Sequence, residues 1–274
     1  MIDTIPTKIF IIPYRNRQQD KAAFNSHMKY ILEDIPTNTY EIFFAHQNDT
    51  KPFNRGAMKN IGFLAMRDKY PNNYKDITFI FNDIDTYPVT KNVLNYDTVS
   101  GTIKHFFGFT FALGGIFSIT GADFEKCGGF PNYWGWGLED TVMQRAALAA
   151  KIKINRDNFF AFGDSKNIVQ RQHSTKRLTT KKEPWRFQTN NINETYKDIK
   201  NLQYHIENEY IQVTNFTVKF LPSSDVYYVH DFINGPAPLD EKFNTMPNGD
   251  RYNRPFKLYP APRRSQNFKM NMKL

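Results

Sequence analysis

Apolar and polar positions fall into short, repeating blocks along the first third of this 274-residue chain. Ile9-Phe10-Ile11-Ile12 is an uninterrupted apolar run ended by Pro13, the pattern of a strand buried on both faces of a parallel sheet. Phe24, Met28, Ile31 and Leu32 then share one helical face. Glu41 to Ala45 reads as a second strand. Asn54 offers a side-chain acceptor and predicts the cap of a helix whose inner face is Ala57, Ile61, Leu64 and Ala65. A third strand, Ile77 to Phe81, runs straight into Asn82-Asp83-Ile84-Asp85. The order strand, helix, strand, helix, strand predicts right-handed crossovers and an α/β fold with a parallel sheet. Ligands of such sheets bind at the carboxyl ends of the strands.

The second half is less regular. Thr120-Gly121-Ala122-Asp123 matches a capping box, with Asp in the acidic position, and predicts a short helix. Val142, Ala146, Ala149 and Ala150 give a further helical face after the Gly- and Trp-rich stretch Gly128 to Asp140. From about Tyr210 to Val229 the chain alternates and is rich in Val, Thr, Phe and Tyr, which predicts late strands or a hairpin.

Three clusters carry candidate chemistry. Asp83 and Asp85 leave an apolar strand at i and i+2, an arrangement that suits a hard cation shared with diphosphate oxygens. Solvated acids at a strand end have the same pattern. Arg15 and Arg17 after the first strand, and Phe53-Asn54-Arg55 before the second helix, offer guanidinium forks for phosphate and an aromatic face for a base. Each is equally a solvated surface or a helix start. In Tyr133-Trp134-Gly135-Trp136-Gly137-Leu138-Glu139-Asp140, the tryptophans and glycines suit either a flap over a sugar or an aromatic core loop. Asp140, at a helix start that favours its ionised form, is either a general base or a cap.

Composition and charge narrow the function classes. The 40% apolar content fills a core, and no stretch approaches the roughly 20 apolar residues that span a bilayer. Of the net charge of +9, seven units sit after Asp250, on Arg251, Arg254, Lys257, Arg263, Arg264, Lys269 and Lys273. Confined to this Pro-containing tail, the charge predicts no nucleic-acid partner. It fits a solvated tail or a weak dock for an anionic membrane or acidic protein. The lone Cys127 excludes an internal disulfide and, with no signal-like start, points to the cytoplasm.

The same clusters, taken together and in order, resemble the β-1,4-galactosyltransferases (glycosyltransferase family 7). The resemblance rests on Ile12-Pro13-Tyr14-Arg15-Asn16-Arg17, Phe53-Asn54-Arg55, Phe81-Asn82-Asp83-Ile84-Asp85, Gly114-Gly115 and the Tyr133 to Asp140 run. His173, Glu183-Pro184 and Arg186-Phe187 extend it. It covers about Lys8 to Phe232. A catalytic domain over residues 1–235 and a basic tail over 236–274 are expected.

The resemblance implies a Rossmann-like nucleotide-sugar transferase fold (GT-A type), with a mostly parallel central sheet and a smaller C-terminal β element. It implies inverting transfer of galactose or N-acetylgalactosamine from a UDP-sugar to a glycan or glycoconjugate hydroxyl. Asp140 matches the general base. Asp85 and His173 match ligands of Mn2+, or Mg2+, with Gln170 offering a further hard oxygen. Pro13, Tyr14, Arg15, Arg17, Phe53, Arg55, Asp83, Ile84, Ala112, Gly115, Trp136 and Gly137 match the donor side. Trp136, Glu139, Asp140, Arg186 and Phe187 match the acceptor side.

The chain departs from the family pattern at four places. Arg171 and Gln170 stand where a Met or His ligand is usual, and Thr141 replaces a second acid. Asn190 replaces an aliphatic residue of the N-acetyl pocket, which leaves the acceptor open. Ala112 replaces a Tyr beside C2 of the donor sugar, which makes room for an acetamide and favours UDP-GalNAc. Other classes consistent with the residues are a glycan-binding module without catalysis, a transferase using UDP-GlcNAc or UDP-glucose, and a basic nucleic-acid-binding protein or metal nuclease.

Overall fold

The computed structural model describes residues 4–171, 176–180, 194–224 and 226–231. In chain order these form β1 (Lys8–Tyr14), α1 (Gln18–Ile31), β2 (Tyr40–Gln47), α2 (Arg55–Lys69), β3 (Thr78–Asn82), β4 (Thr86–Pro88), β5 (Thr102–Gly108), β6 (Ile116–Thr120) and α3 (Gly121–Cys127). They continue as α4 (Glu139–Ala149), β7 (Lys153–Asn155), β8 (Phe160–Ala161), β9 (Ile168–Gln170), β10 (Lys176–Thr180), β11 (Lys200–Glu207), β12 (Tyr210–Thr217) and β13 (Tyr227–Asp231). The central sheet runs β11-β12-β2-β1-β3-β6-β5-β7, with β8 beside β5. Within it only β6 and β11 run against the other strands. The sheet is mostly parallel, as expected.

Alternation along β1 explains the uninterrupted apolar run. Ile9 and Ile11 enter a core beneath α2, whereas Phe10 and Ile12 enter a second core beneath α1. A strand covered on both faces has no position left for a polar residue. Pro13 does not end this strand; it pairs in register with Ala45. The β1–β3 ladder stops at Ile11, so the amide hydrogen that proline lacks is not needed on that side.

The first helix buries Phe24, Met28 and Ile31, and Leu32 closes it. In α2, burial extends beyond the expected face: every residue from Gly56 to Met66 is buried. One side packs on the sheet so closely that a Cβ on Gly62 would meet Ile11 Cγ2 at 2.3 Å. The other side lies under the 128–134 segment, where Asn60 bonds both the Phe130 carbonyl and Asn132. Thr120 caps α3 as its capping box predicts, accepting from the Asp123 amide. The α4 face is rotated from the expected one. Val142, Met143 and Ala147 are buried, while Ala149 lies in solvent.

The late β residues divide in two. The β11–β12 hairpin joins the main sheet through a parallel pairing of β12 with β2, and β13 forms a separate antiparallel pair with β10. No helix among the described residues is long and apolar enough to cross a membrane.

Candidate active site

Antiparallel insertion of β6 brings two kinds of strand end to one edge of the sheet. The carboxyl ends of β1, β3 and β5 lie there, together with the start of β6. Here a cavity of about 240 Å³ is lined by Pro13, Arg15, Arg17, Phe53, Arg55, Asp83, Ile84, Asp85, Gly135, Trp136, Arg177 and Leu178. Four arginines face two carboxylates, so the cavity carries an excess of positive charge suited to a phosphate-bearing ligand.

Arg55 organises this charge. Asn54 is fully buried and caps α2 by accepting from the Ala57 amide at 2.9 Å, while its own amide group donates to the Asn132 carbonyl at 3.0 Å. The fixed helix start aims Arg55 at three acids. Nη2 donates to both Asp83 oxygens at 2.5 and 2.6 Å, and Nη1 donates to Asp140 Oδ2 at 2.7 Å and to Glu139. Lys59, one helical turn on, donates to Asp140 Oδ1 at 2.9 Å. Burial opposes ionisation of Asp140, yet Arg55 and Lys59 outweigh it and hold the carboxyl below its usual range. The same burial pushes Glu139 up, with Arg55 opposing.

Backbone packing fixes Asp140 as firmly as charge does. The Leu113 amide donates to its carbonyl at 2.9 Å, and a Cβ on Gly114 would lie 2.5 Å from Oδ2. Glycine at 114 is therefore a requirement of close approach. The turn before α4 is strained, since Leu138 has φ +71°, a left-handed conformation rare for a residue with a Cβ. Gly137, at φ +117°, donates its amide to Glu139 at 3.1 Å.

At the other pole, Arg17 donates to Asp85 at 3.1 Å and to the buried Asp20, which also accepts from Arg171 at 3.1 Å. Burial and the neighbouring Asp83 push the Asp85 carboxyl up, against the pull of Arg17. Arg15 donates to the carbonyls of Asp49 and Lys51, which ties the end of β1 to the loop before α2.

Packing directs several of the expected site residues away from the cavity wall. Strand alternation turns the Tyr14 ring away from Pro13 and Arg15 into an aromatic cluster with Phe44, His46 and Tyr210, so Tyr14 does not line the cavity. Glu139 is buried against Arg55. Gln170 accepts from the Gly163 amide at 3.1 Å and donates to the Asp164 carbonyl at 3.2 Å, so its oxygen is engaged away from Asp85. The tryptophans divide: Trp134 is core, stacked on Phe216 and bonded to the Phe220 carbonyl, while Trp136 is 39% exposed in the cavity wall. Gly115 adjoins the cavity wall, its carbonyl accepting from the Asp83 amide at 3.0 Å, and Ala112 is buried next to Leu113, whose amide bonds the Asp140 carbonyl. His173, Arg186 and Phe187 lie outside the described residues, and among the described ones no three His, Cys, Asp or Glu side chains gather as a metal cage.

Sequence reasoning missed Lys59 and His105. Lys59 carried one usable signal, its i+4 spacing from Arg55 on the same helical face. His105 carried none. It is buried, with Nε2 donating to the Phe107 and Gly114 carbonyls and Nδ1 accepting from Arg156.

Comparison with known proteins bears directly on this arrangement. Residues 5–97 match the model described as the N-terminal region of glycosyl transferase group 7, and residues 102–174 match that described as the N-terminal domain of galactosyltransferase. Xylosylprotein 4-beta-galactosyltransferase of Caenorhabditis elegans is 30% identical over 177 residues, covering 61% of this chain and 58% of the relative. Beta-1,4-galactosyltransferase 4 of Cricetulus griseus is 31% identical over 160 residues, covering 54% and 44% respectively. The chain thus spans about half the length of the curated relatives it matches. A Drosophila β1,4-galactosyltransferase 7 mutant, solved with manganese, UDP-Gal and xylobiose, shares the fold with a TM-score of 0.57 at 18% identity, over 80% of this chain and 97% of that one. Two adjoining family matches, placed over the strands and loops that build the cavity, establish that the chain belongs to glycosyltransferase family 7.

Proposed function

We propose that this protein is an inverting, metal-dependent glycosyltransferase that moves galactose or N-acetylgalactosamine from a UDP-sugar to a glycan or glycoconjugate hydroxyl. The observation that carries the reading is the Arg55 bridge, which joins Asp83 in the cavity wall to Asp140 directly behind Arg55. A donor diphosphate meets Arg15, Arg17 and Arg55 and competes for the guanidinium that now occupies Asp140 Oδ2. The freed carboxylate then takes the proton of the acceptor hydroxyl. The acceptor oxygen forms its bond to the anomeric carbon as the bond to the diphosphate breaks, and UDP leaves with the electron pair.

The donor set fits a hard divalent cation: Asp85 with a flanking Asp83, and His173 as the remaining ligand. Bound there, Mn2+ or Mg2+ neutralises the leaving diphosphate. Gln170 joins only by giving up its bond to Gly163. Trp136 and Gly137 form the flap over the sugar, and Arg186 and Phe187 stay as acceptor contacts by resemblance. Ala112 favours a donor with a 2-acetamido group. Phe109 and Phe111 support this, because they are 47% and 54% exposed and stack on each other rather than filling space beside Ala112. A cytoplasmic setting is supported by the lone Cys127, whose thiol burial pushes up to about 12.

The test is UDP release from UDP-galactose and UDP-GalNAc, with and without EDTA, by the natural protein and Asp140→Asn. Release should need Mn2+ or Mg2+ and vanish in Asp140→Asn, with UDP affinity within about twofold because only basicity is lost. Near-normal turnover by Asp140→Asn overturns the base assignment, and turnover in excess chelator overturns the metal role.

A further inference from the structure

Lys59 is a lysine with 1% side-chain exposure, deep beneath the candidate base. Its ammonium lies 2.9 Å from Asp140 Oδ1 and 4.5 Å from the ring centroid of Phe130. A buried ammonium is costly unless an anion and a π face compensate it, so the site retains this charge at the expense of an easy apolar alternative.

The two oxygens of Asp140 differ in what holds them. Oδ2 is held by Arg55, which also lines the cavity and is open to competition from a ligand phosphate. Oδ1 is held by Lys59, which does not line the cavity. We propose that Lys59 is a positioning residue for Asp140: it anchors Oδ1 and keeps the carboxylate ionised until the acceptor hydroxyl is in place, leaving Oδ2 to accept the proton once Arg55 engages the diphosphate. The inference rests on Asp140 being the base.

Other charged or titratable groups also face Asp140. Arg55 comes from α2, Glu139 from α4 and His105 from β5, and Asp83 is joined through Arg55. All stay in place when Lys59 is changed. Because Arg55 and Lys59 together hold the carboxyl low against burial, removing one cation moves it up.

The experiment uses the full chain with Mn2+, carrying Lys59→Met, Lys59→Gln or Asp140→Asn. Two quantities are measured: the pH profile of UDP release from UDP-galactose and UDP-GalNAc, and the titration midpoint of the Asp140 carboxyl by 13C NMR, assigned by its loss in Asp140→Asn. Lys59→Met should lower kcat about tenfold or more with donor KM within about twofold, since the base is misplaced and the donor contacts are not. Its acid limb and its NMR midpoint should both rise by about one unit. Lys59→Gln, which can still donate to Oδ1, should recover part of kcat yet show the same rise. It also carries the test if the Met variant fails to fold. A merely structural lysine would move neither pH quantity, so an unchanged limb and midpoint in a folded variant overturns the proposal while the Asp140 assignment stands. Near-normal turnover by Asp140→Asn overturns the base and the proposal together.

Discussion

Ala112 puts the proposed choice of donor on a single side chain. It is buried in a turn closed by its own amide donating to the Phe109 carbonyl at 3.2 Å, one residue before the Leu113 amide that bonds the Asp140 carbonyl. The bulky residues just before it, Phe109 and Phe111, are exposed and continue as a stack onto Phe162. Neither of these two rings therefore packs into the volume that a tyrosine at 112 would take. UDP-GalNAc should be used at least as well as UDP-galactose, and Ala112→Tyr should swing kcat/KM toward UDP-galactose by about tenfold, the size of effect that a filled or emptied pocket produces. Side-by-side donor kinetics check this. A natural preference for UDP-galactose that Ala112→Tyr leaves unmoved would refute it. The substitution was legible in the sequence against the family pattern, but the exposure of the two phenylalanines was not.

Helix α2 carries the energetics of the site at the level of an element. Its cap is a buried side chain that serves two hydrogen bonds at once, to Ala57 and to Asn132, and its backbone amide donates a third to Gln47 Oε1 at 2.8 Å. Asn54→Ala should cost about 2 kcal/mol, the upper end for a cap because the Asn132 carbonyl also loses its donor in a buried place. Thermal unfolding measures that loss. Arg55 follows the cap directly, so the same variant should lower kcat/KM more than kcat, through weaker donor binding. A variant with full stability would show that the cap is incidental. The cap and the helix were readable, because capping is a local competition for the first free amide groups. Burial of the helix on both sides was not, since the covering segment 128–134 comes from far along the chain.

At the scale of the whole molecule, His105 ties the outer part of the sheet to the site. Its ring is wedged between the Gly114 carbonyl and the guanidinium of Arg156, which in turn donates to Gln144 of α4 at 2.7 Å. Burial, with Arg156 adding to it, lowers its pKa to about 4. The unfolded chain takes up that proton near the ordinary value and the folded chain does not, so stability present above about pH 6.5 is lost as pH falls toward 4. The loss from this residue approaches about 3 kcal/mol, and His105→Gln, which titrates nowhere in that window, should show a shallower decline. Denaturant unfolding at a series of pH values decides it; parallel curves for the two proteins would refute it.

The sequence by itself determined the first three strands and their two helices, the order of the motifs and the family. These rest on periodicity, caps and short spacings, which act within a few residues. Only the tertiary structure decided which charges meet. Arg55 and Lys59 reach Asp140 across separations of 85 and 81 residues, and they do so because β6 leaves the edge where β1 and β3 end and the segment before α4 returns to it, the Gly135 amide donating to the Phe53 carbonyl at 2.9 Å. The same folding sent Tyr14 and Trp134 inward and left Trp136 at the cavity, although all three stand in motifs of equal promise. A side chain's neighbours across a sheet depend on strand order and direction, and local spacing carries no record of either.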